Sequence, residues 1–364
     1  MTEWKEVLLG DVLEVKYGKD HKGLNSGQIP CLGSGGIMRY VDNYLYDDES
    51  ILIPRKGSLN NIMYQNNPFW TVDTMFWTKI KKNKVIPKFL FYQLTLIDYT
   101  NLNVGSAVPS LTVPVINAIE IDLPPLPEQK AIAETLSGLD DKIDLLHRQN
   151  KTLEQMAETL FRQWFVEEAK EDWELVKIGR FVKTNKNSVN KDYPHKIIKY
   201  LDTGSLTEGK IEALQEISFN EAPSRAKRLV NHNDVLISTV RPNQKHFGII
   251  KNPIDNLVVS TGFCVITCEN IDPHFIYILL TTSDMTEYLH SIAEGSTSTY
   301  PSLKPIDIEA IEFQLPPNDL LIKFANYCNN AWVKIDKNQN QIRTLVKIRD
   351  TLLPKLMSGE VKVQ

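Results

Sequence analysis

The sequence predicts an α+β chain in which two globular parts alternate with two long coiled-coil helices that pair antiparallel, on a pseudo-twofold internal repeat. Three observations carry this: a segment that recurs at a fixed spacing, a heptad pattern after each copy of it, and short alternating strands confined to the regions between. At 364 residues the chain exceeds one ordinary domain.

The repeat comes first. INAIEIDLPP (Ile116–Pro125) returns as IEAIEFQLPP (Ile308–Pro317), an offset of 192 residues. At the same offset, KID at Lys142–Asp144 returns at Lys334–Asp336, and Thr152-Leu153 returns at Thr344-Leu345. PSL at Pro109–Leu111 likewise returns at Pro301–Leu303. The globular parts keep a looser register. Trp4 opens WKEVLLGDVLEV and Trp173 opens WELVKIGRFVKT, an offset of 169, so the second part carries 192 − 169 = 23 more residues net. Self-similarity at a long period marks a duplicated architecture. The boundaries expected are 1–126 for the first globule, 127–170 for the first helix, 171–315 for the second globule, and 316–364 for the second helix and tail.

Both helices follow proline-rich starts, where proline can open a helix but not continue one. The first apolar seam is Ile132, Leu136, Leu139, Ile143, Leu146, Asn150, Leu153, Ala157, Leu160 and Trp164. Its spacings of 4 and 3 are those of a coiled coil. Shifted by 192, the seam reads Phe324, Cys328, Ala331, Ile335, Asn338, Ile342, Leu345, Arg349, Leu352 and Leu356, and Pro354 should kink or end it. Each helix could run about 40 residues, roughly 60 Å. The connection between them passes through a whole globule, so antiparallel pairing is natural. Asn150 and Asn338 lie on the seam, which fits either a buried amide that controls register or a seam partly open to a partner or water. Off the seam, Phe161, Phe165, Val166 and Trp332 give more apolar surface than one pair needs; a larger bundle with another protein, or cover by the globules, would use it.

The globules read as strands bounded by turn residues, such as SILIPRKG and NDVLISTVRPN, each with one apolar helical segment, FLFYQL (Phe89–Leu94) or FIYILL (Phe275–Leu280), that belongs to a core. Polar and basic clusters fall in the loops. The first globule has Arg39, Arg55, Lys56, Asn60, Asn61, Tyr64 and Gln65; the second has Arg225, Lys227, Arg228, Arg241, Asn243, Gln244, Lys245 and His246. Arg and Lys can fork onto guanine, Asn and Gln onto adenine, so these are the candidate DNA-binding residues, with RPNQKH (Arg241–His246) foremost, although most such runs are just solvated loops. GSAVPSL and GSTSTYPSL offer backbone amides and hydroxyls suited to phosphate, although a plain loop explains them slightly better.

Bulk properties narrow the classes. Apolar content of 42% and charged content of 24% suit a soluble globular protein. No stretch nears the roughly 18 apolar residues a membrane span needs, and the first residues lack a secretory pattern. Cys31, Cys264, Cys268 and Cys328 show no zinc pattern and fit free thiols in the cytoplasm. The net charge of −4 means that any DNA-binding charge is local or supplied by a partner.

The globule–helix plan, LPPLPEQKAIAETLSGLDDKID (Leu123–Asp144), ETLFRQWF (Glu158–Phe165) and LLPKLMSGEV (Leu352–Val361) together resemble the specificity subunits of type I restriction-modification systems, over essentially the full chain. The resemblance implies that each globule is a target recognition domain reading one half of a split double-stranded DNA site. It implies that the helices set the gap and bind two methyltransferase subunits, joined by an endonuclease/translocase subunit where the system has one. A related methyltransferase-only or fused system fits as well. On this reading Phe161, Trp164, Phe165 and Trp332 are the candidate partner-binding residues, and the chain itself carries no cofactor and no metal. The second helix departs from the family pattern, with QLPPNDLLIKFANYC where Pro-Glu-Gln is usual.

Enzyme readings fare poorly. A self-contained methyltransferase needs an Asn/Asp-Pro-Pro-aromatic motif, and Asn66-Asn67-Pro68-Phe69 lacks the first proline. GSGG at Gly33–Gly36 lacks dinucleotide spacing and reads as a turn. Glu168 and Lys170 have no acidic partner for a nuclease metal site, Asp140, Asp141 and Lys142 read as a solvated helix face, and no Walker loop is present. A generic coiled-coil scaffold explains the helices but not two elaborate globules that differ while their connectors match.

Overall fold

In the computed structural model, which describes residues 4–105, 108–190, 192–295 and 302–363, the chain divides into two units, Met1–Leu146 with Gln341–Gln364, and His147–Asn340. Each unit holds one globule and one stretch of each long helix. The first globule runs β1 (Lys5–Leu8), α1 (Leu9–Val12), β2 (Leu13–Tyr17), β3 (Ser26–Gly33), β4 (Gly36–Val41), β5 (Ser50–Pro54), β6 (Met63–Gln65), β7 (Trp70–Thr71), β8 (Met75–Ile80), α2 (Pro87–Thr95), α3 (Val113–Asn117) and β9 (Glu120–Leu123). Its sheets are β1-β9, β2-β8-β5-β6 and β4-β3-β7.

The second globule follows the first helix, α4 (Leu126–Arg162). It runs β10 (Leu175–Lys177), β11 (Val182–Thr184), β12 (Ile197–Leu201), β13 (Leu206–Thr207), β14 (Lys210–Ile211), β15 (Gln215–Ser218), β16 (Ala226–Leu229), β17 (Val235–Ser238), β18 (Phe247–Ile249), β19 (Leu257–Ser260) and β20 (Phe263–Cys268). It closes with α5 (Pro273–Thr281), α6 (Ser283–Glu294), α7 (Pro305–Glu309) and β21 (Glu312–Gln314), before the second long helix, α8 (Asn318–Met357). Sheets β10-β21, β11-β20-β17-β18 and β15-β12-β19 repeat those of the first globule strand for strand. Even the one parallel pairing recurs, β3 with β7 and β12 with β19. The hairpin β13–β14 and the extra strand β16 are insertions that carry much of the second globule's additional length.

The heptad seam is the packed face of both helices: each of its positions is buried or half-buried. Pairing is antiparallel within each unit. In the first, Arg349 meets Asp140, and Ile342 packs with Ile143 and Leu146. In the second, Asn338 meets Asn150, and Phe324 packs with Phe161 and Phe165. Burying each large apolar side chain stabilises by about 1.5–3 kcal/mol, which is what holds helices of this length. Pro354 does not end α8. The helix continues to Met357 because Leu356 and Met357 are buried in the first unit's core, and that burial outweighs the hydrogen bond Pro354 cannot make. Asp140 is also no solvated face residue: it accepts from Arg349 Nη1 at 2.9 Å and from Tyr92 Oη at 2.6 Å.

Among the described residues, no helix is long and apolar enough to cross a membrane.

Candidate nucleic-acid interface

The two polar loops singled out in the sequence leave equivalent strands, β5 and β17, and are fixed by the same backbone bonds. Arg55 N–H donates to Thr74 O at 2.8 Å, and Leu111 N–H donates to Arg55 O at 2.9 Å. In the second globule Thr239 N–H donates to Gly262 O at 2.8 Å, and Leu303 N–H donates to Thr239 O at 2.7 Å. Bridges Lys56 to Ser110 and Val240 to Ser302 complete the match. Each strand exit is thus tied to the PSL segment that precedes a spacer helix. The next residue is left-handed in both copies, Gly57 at φ +89° and Arg241 at φ +48°. Beyond it the loops diverge, with Ser-Leu-Asn-Asn in one and Pro-Asn-Gln-Lys in the other. Of the phosphate-binding candidates GSAVPSL and GSTSTYPSL, residues 106–107 and 296–301 lie outside the described residues.

In the first globule the candidates divide by role. Lys56 and Asn61 are exposed, and Asn61 Nδ2 donates to Ser34 O at 2.7 Å. Arg55 is half-buried, with Nη1 donating to Asp73 O at 3.3 Å and its guanidinium 5.3 Å from the Tyr17 ring centre. Arg39 is held in β4 by donation to Leu24 O at 3.0 Å. Two candidates serve the fold instead. Asn60 accepts from the Tyr99 N–H at 2.8 Å and donates to Asp98 at 3.1 Å, so it anchors a turn. Tyr64 donates to Glu49 and lies under the Lys88 ammonium, half-buried and spoken for.

An open cleft of about 720 Å³ adjoins this loop, lined by His21, Lys22, Ser34, Met38, Asp73 and Thr74 among others. Sequence reading missed the exposed apolar side chains nearby, of which Met38 lines the cleft. Tyr17, Ile37, Met38 and Tyr40 each keep about half their surface exposed, and the last three sit on β4 next to the Gly33–Gly36 turn. An apolar run in a strand reads as core from sequence. Only the fold leaves this one on the outside.

In the second globule Arg225, Lys227, Arg241, Asn243, Gln244 and Lys245 are exposed. The Ser260–Gly262 turn joins the two clusters, since Thr261 N–H donates to Arg225 O at 2.8 Å while Gly262 O receives Thr239. Arg228 is half-buried, with Nη1 donating to Ser188 Oγ at 3.3 Å. His246 is turned inward: its Nδ1 lies 2.8 Å from Leu206 O. Lys245 pairs with Glu208 at 3.0 Å, and Glu158 of α4 also faces it. Beside this pair, Glu154 is pushed up to about 7 by burial, with Glu158 and Glu208 adding repulsion.

The candidate partner-binding residues are mostly core, a correction to the reading from sequence. Phe161, Phe165 and Trp332 are 3%, 9% and 5% exposed, in one cluster with Phe275 and Phe324. The second globule's own helix α5 supplies the cover, with Phe275 about 5 Å from both Phe161 and Phe165. Trp332 packs against the His274 ring at a tilt, ring centres 4.6 Å apart. Trp164 alone stays half-buried, under the Lys323 ammonium.

The missing Pro-Glu-Gln of the second helix has a structural reason. Gln129 is buried, accepts from the Ile86 N–H at 2.8 Å and donates to Pro124 O at 2.8 Å. It thereby caps α2, whose own N-cap, Ile86, has no side chain able to do so. The matching helix α5 begins with Asp272, which caps itself by accepting from the His274 N–H at 2.9 Å. The residue 192 positions after Gln129 is Leu321, and no cap is needed from it.

Comparison with known proteins agrees with this architecture. The family model described as "Type I restriction modification DNA specificity domain" matches residues 1–155. Among curated proteins, the type I restriction enzyme MjaIX specificity subunit of Methanocaldococcus jannaschii is 27% identical over 88% of this chain and 79% of its own length. The MjaVIII specificity subunit of the same organism is 25% identical over 100% of this chain and 94% of its own. The crystal structure of a type I restriction-modification system S subunit from M. genitalium superposes with a TM-score of 0.63 at 17% identity, covering 98% of this chain and 96% of that one. The duplicated globules and the paired heptad helices thus go with similarity, over the whole chain, to the specificity subunits of type I restriction-modification systems.

Proposed function

We propose that the chain is a non-catalytic subunit that reads a bipartite, asymmetric site in double-stranded DNA and positions adenine methyltransferase subunits over it. One observation carries the asymmetry: equivalent loops, Arg55–Asn61 and Thr239–Lys245, leave equivalent strands on the same backbone bonds yet present different side chains. Lys56 and Asn61 serve the first half-site; Arg225, Lys227, Arg241, Asn243 and Gln244 serve the second. Arg and Lys favour guanine, and Asn and Gln favour adenine. Exposed Met156 on α4 and Ile348 on α8 are related by the 192-residue repeat and offer two equivalent docking points for two methyltransferase copies. An endonuclease/translocase subunit joins where the system encodes one.

The paired helices set the gap between half-sites. One heptad inserted in both helices, between Leu146 and Asn150 and between Asn338 and Ile342, preserves every seam partner. Methylation by the reconstituted complex should then require a longer gap while both half-site sequences are kept. An active variant with the original gap rules out a spacer role.

A further inference from the structure

The two seam asparagines are not repeat images of each other. Asn150 corresponds to Ile342, and Asn338 to Leu146, at the 192-residue offset. Asn150 meets Asn338 in the second unit, with Asn338 Nδ2 donating to Asn150 Oδ1 at 2.8 Å, both side chains buried. Their images, Leu146 and Ile342, meet each other in an apolar cluster of the first unit. One layer of the seam is therefore amide on amide, and its repeat image is leucine on isoleucine. The charged pair behaves alike. Arg349 Nη1 donates to Asp140 Oδ1 at 2.9 Å, while the images of these residues, Ala157 and Trp332, are both buried in the second unit's core.

We infer that this placement is a pairing code by which α4 accepts α8 and rejects a second copy of itself. Because the helices are repeats, two α4 helices from separate chains could pair in the same antiparallel register, as could two α8 helices. Two α4 helices would set Asn150 against Leu146 of the second copy, and Asp140 against its Ala157. Two α8 helices would set Asn338 against Ile342 of the second copy, and Arg349 against its Trp332. Each asparagine layer strands a buried amide and each charged layer loses the Asp140–Arg349 ion pair, although Asp140 keeps Tyr92 and Arg349 keeps Asp350, whereas α4 with α8 satisfies all of them. A buried amide facing an aliphatic side chain loses its partner without regaining water, which is why single seam asparagines specify partners elsewhere. An α4 from one chain paired with α8 from another satisfies the code as well, so only like-with-like pairing is excluded.

The test uses the full chain. Asn150→Ile with Asn338→Leu turns the amide layer into a copy of its aliphatic image and leaves exchange of unlike helices unchanged. Native mass spectrometry and sedimentation should show that this folded double variant self-associates at least about tenfold more tightly than wild type. Asn150→Leu alone, which relieves only the α4–α4 mismatch, should give an intermediate increase. A double variant that is folded and self-associates no more than wild type overturns the code. Should the double variant not fold, Asn150→Leu decides alone: no gain in self-association overturns the code equally.

Discussion

Asn338 Nδ2 donates to Asn150 Oδ1 at 2.8 Å, joining residues 188 apart in sequence inside the helix seam. Each amide is the other's buried partner. Asn338→Leu alone should destabilise the second unit by about 1–3 kcal/mol, because Asn150 is left buried and unpaired. Adding Asn150→Ile should recover most of that loss. Denaturant unfolding of both single variants and the double completes the cycle, and additive losses would mean that the two amides are not coupled.

Gln129 gives a second prediction. Gln129→Leu copies the residue at the repeat position 321 and leaves the Ile86 N–H and the Pro124 carbonyl without their partner. It should lower the first unit's stability by about 1–3 kcal/mol. Ile86→Asp in the same chain reproduces the self-cap of Asp272 and should return about 1 kcal/mol. If Gln129→Leu melts as wild type does, the glutamine has another role.

Glu154 makes stability depend on pH. Its carboxyl is pushed up from the usual range to about 7 by burial, with repulsion from Glu158 and Glu208. The folded state therefore holds a proton that the unfolded chain has released. Stability contributed by this group is present below the unfolded value and falls as pH rises through about 7. Lys251, lowered to about 8 by burial, acts in a separate window, adding stability as pH rises above that value. Glu154→Gln should flatten the fall between pH 5 and 7, on the order of 1–3 kcal/mol, and leave the higher window alone. Thermal melts of both proteins across that range decide it; parallel curves would show that Glu154 titrates normally.

Arg241 separates stability from reading. Its φ of +48° is the left-handed region, where its first-globule equivalent is Gly57. Arg241→Gly should be about 1 kcal/mol more stable than Arg241→Ala, since only the glycine removes the backbone strain. Both should relax one position of the second half-site and cost about 1–3 kcal/mol of binding, leaving the first half-site intact. Equal stability of the two variants would place no strain at Arg241, and full discrimination by both would move the reader to Arg225 and Lys227.

Part of this architecture is legible in residues alone. Period and offset depend only on spacing, so the repeat, both seams and the core segments at Phe89–Leu94 and Phe275–Leu280 are recoverable. The fate of the seam asparagines is not, because register control and an open seam share one pattern, and only the Asn150–Asn338 contact distinguishes them. Phe161, Phe165 and Trp332 look like partner surface because a heptad pattern describes one helix pair and not α5 packing on its flank. Asn60, Tyr64 and His246 look like readers because a polar residue in a loop has the same letter whether it faces solvent or holds a turn. The exposed Ile37, Met38 and Tyr40 escape notice for the converse reason: apolar letters in a strand suggest burial, and exposure is decided by the sheet's free face.

The most direct measurement is the methylation pattern of DNA from cells expressing this chain with a cognate methyltransferase subunit. Single-molecule sequencing should reveal methyladenine in one motif with two different half-sites separated by a fixed gap. The same experiment with Gln244→Ala should change only one of the halves. A contiguous or palindromic motif, or a change in both halves from that single substitution, would contradict the assignment of one half-site to each globule.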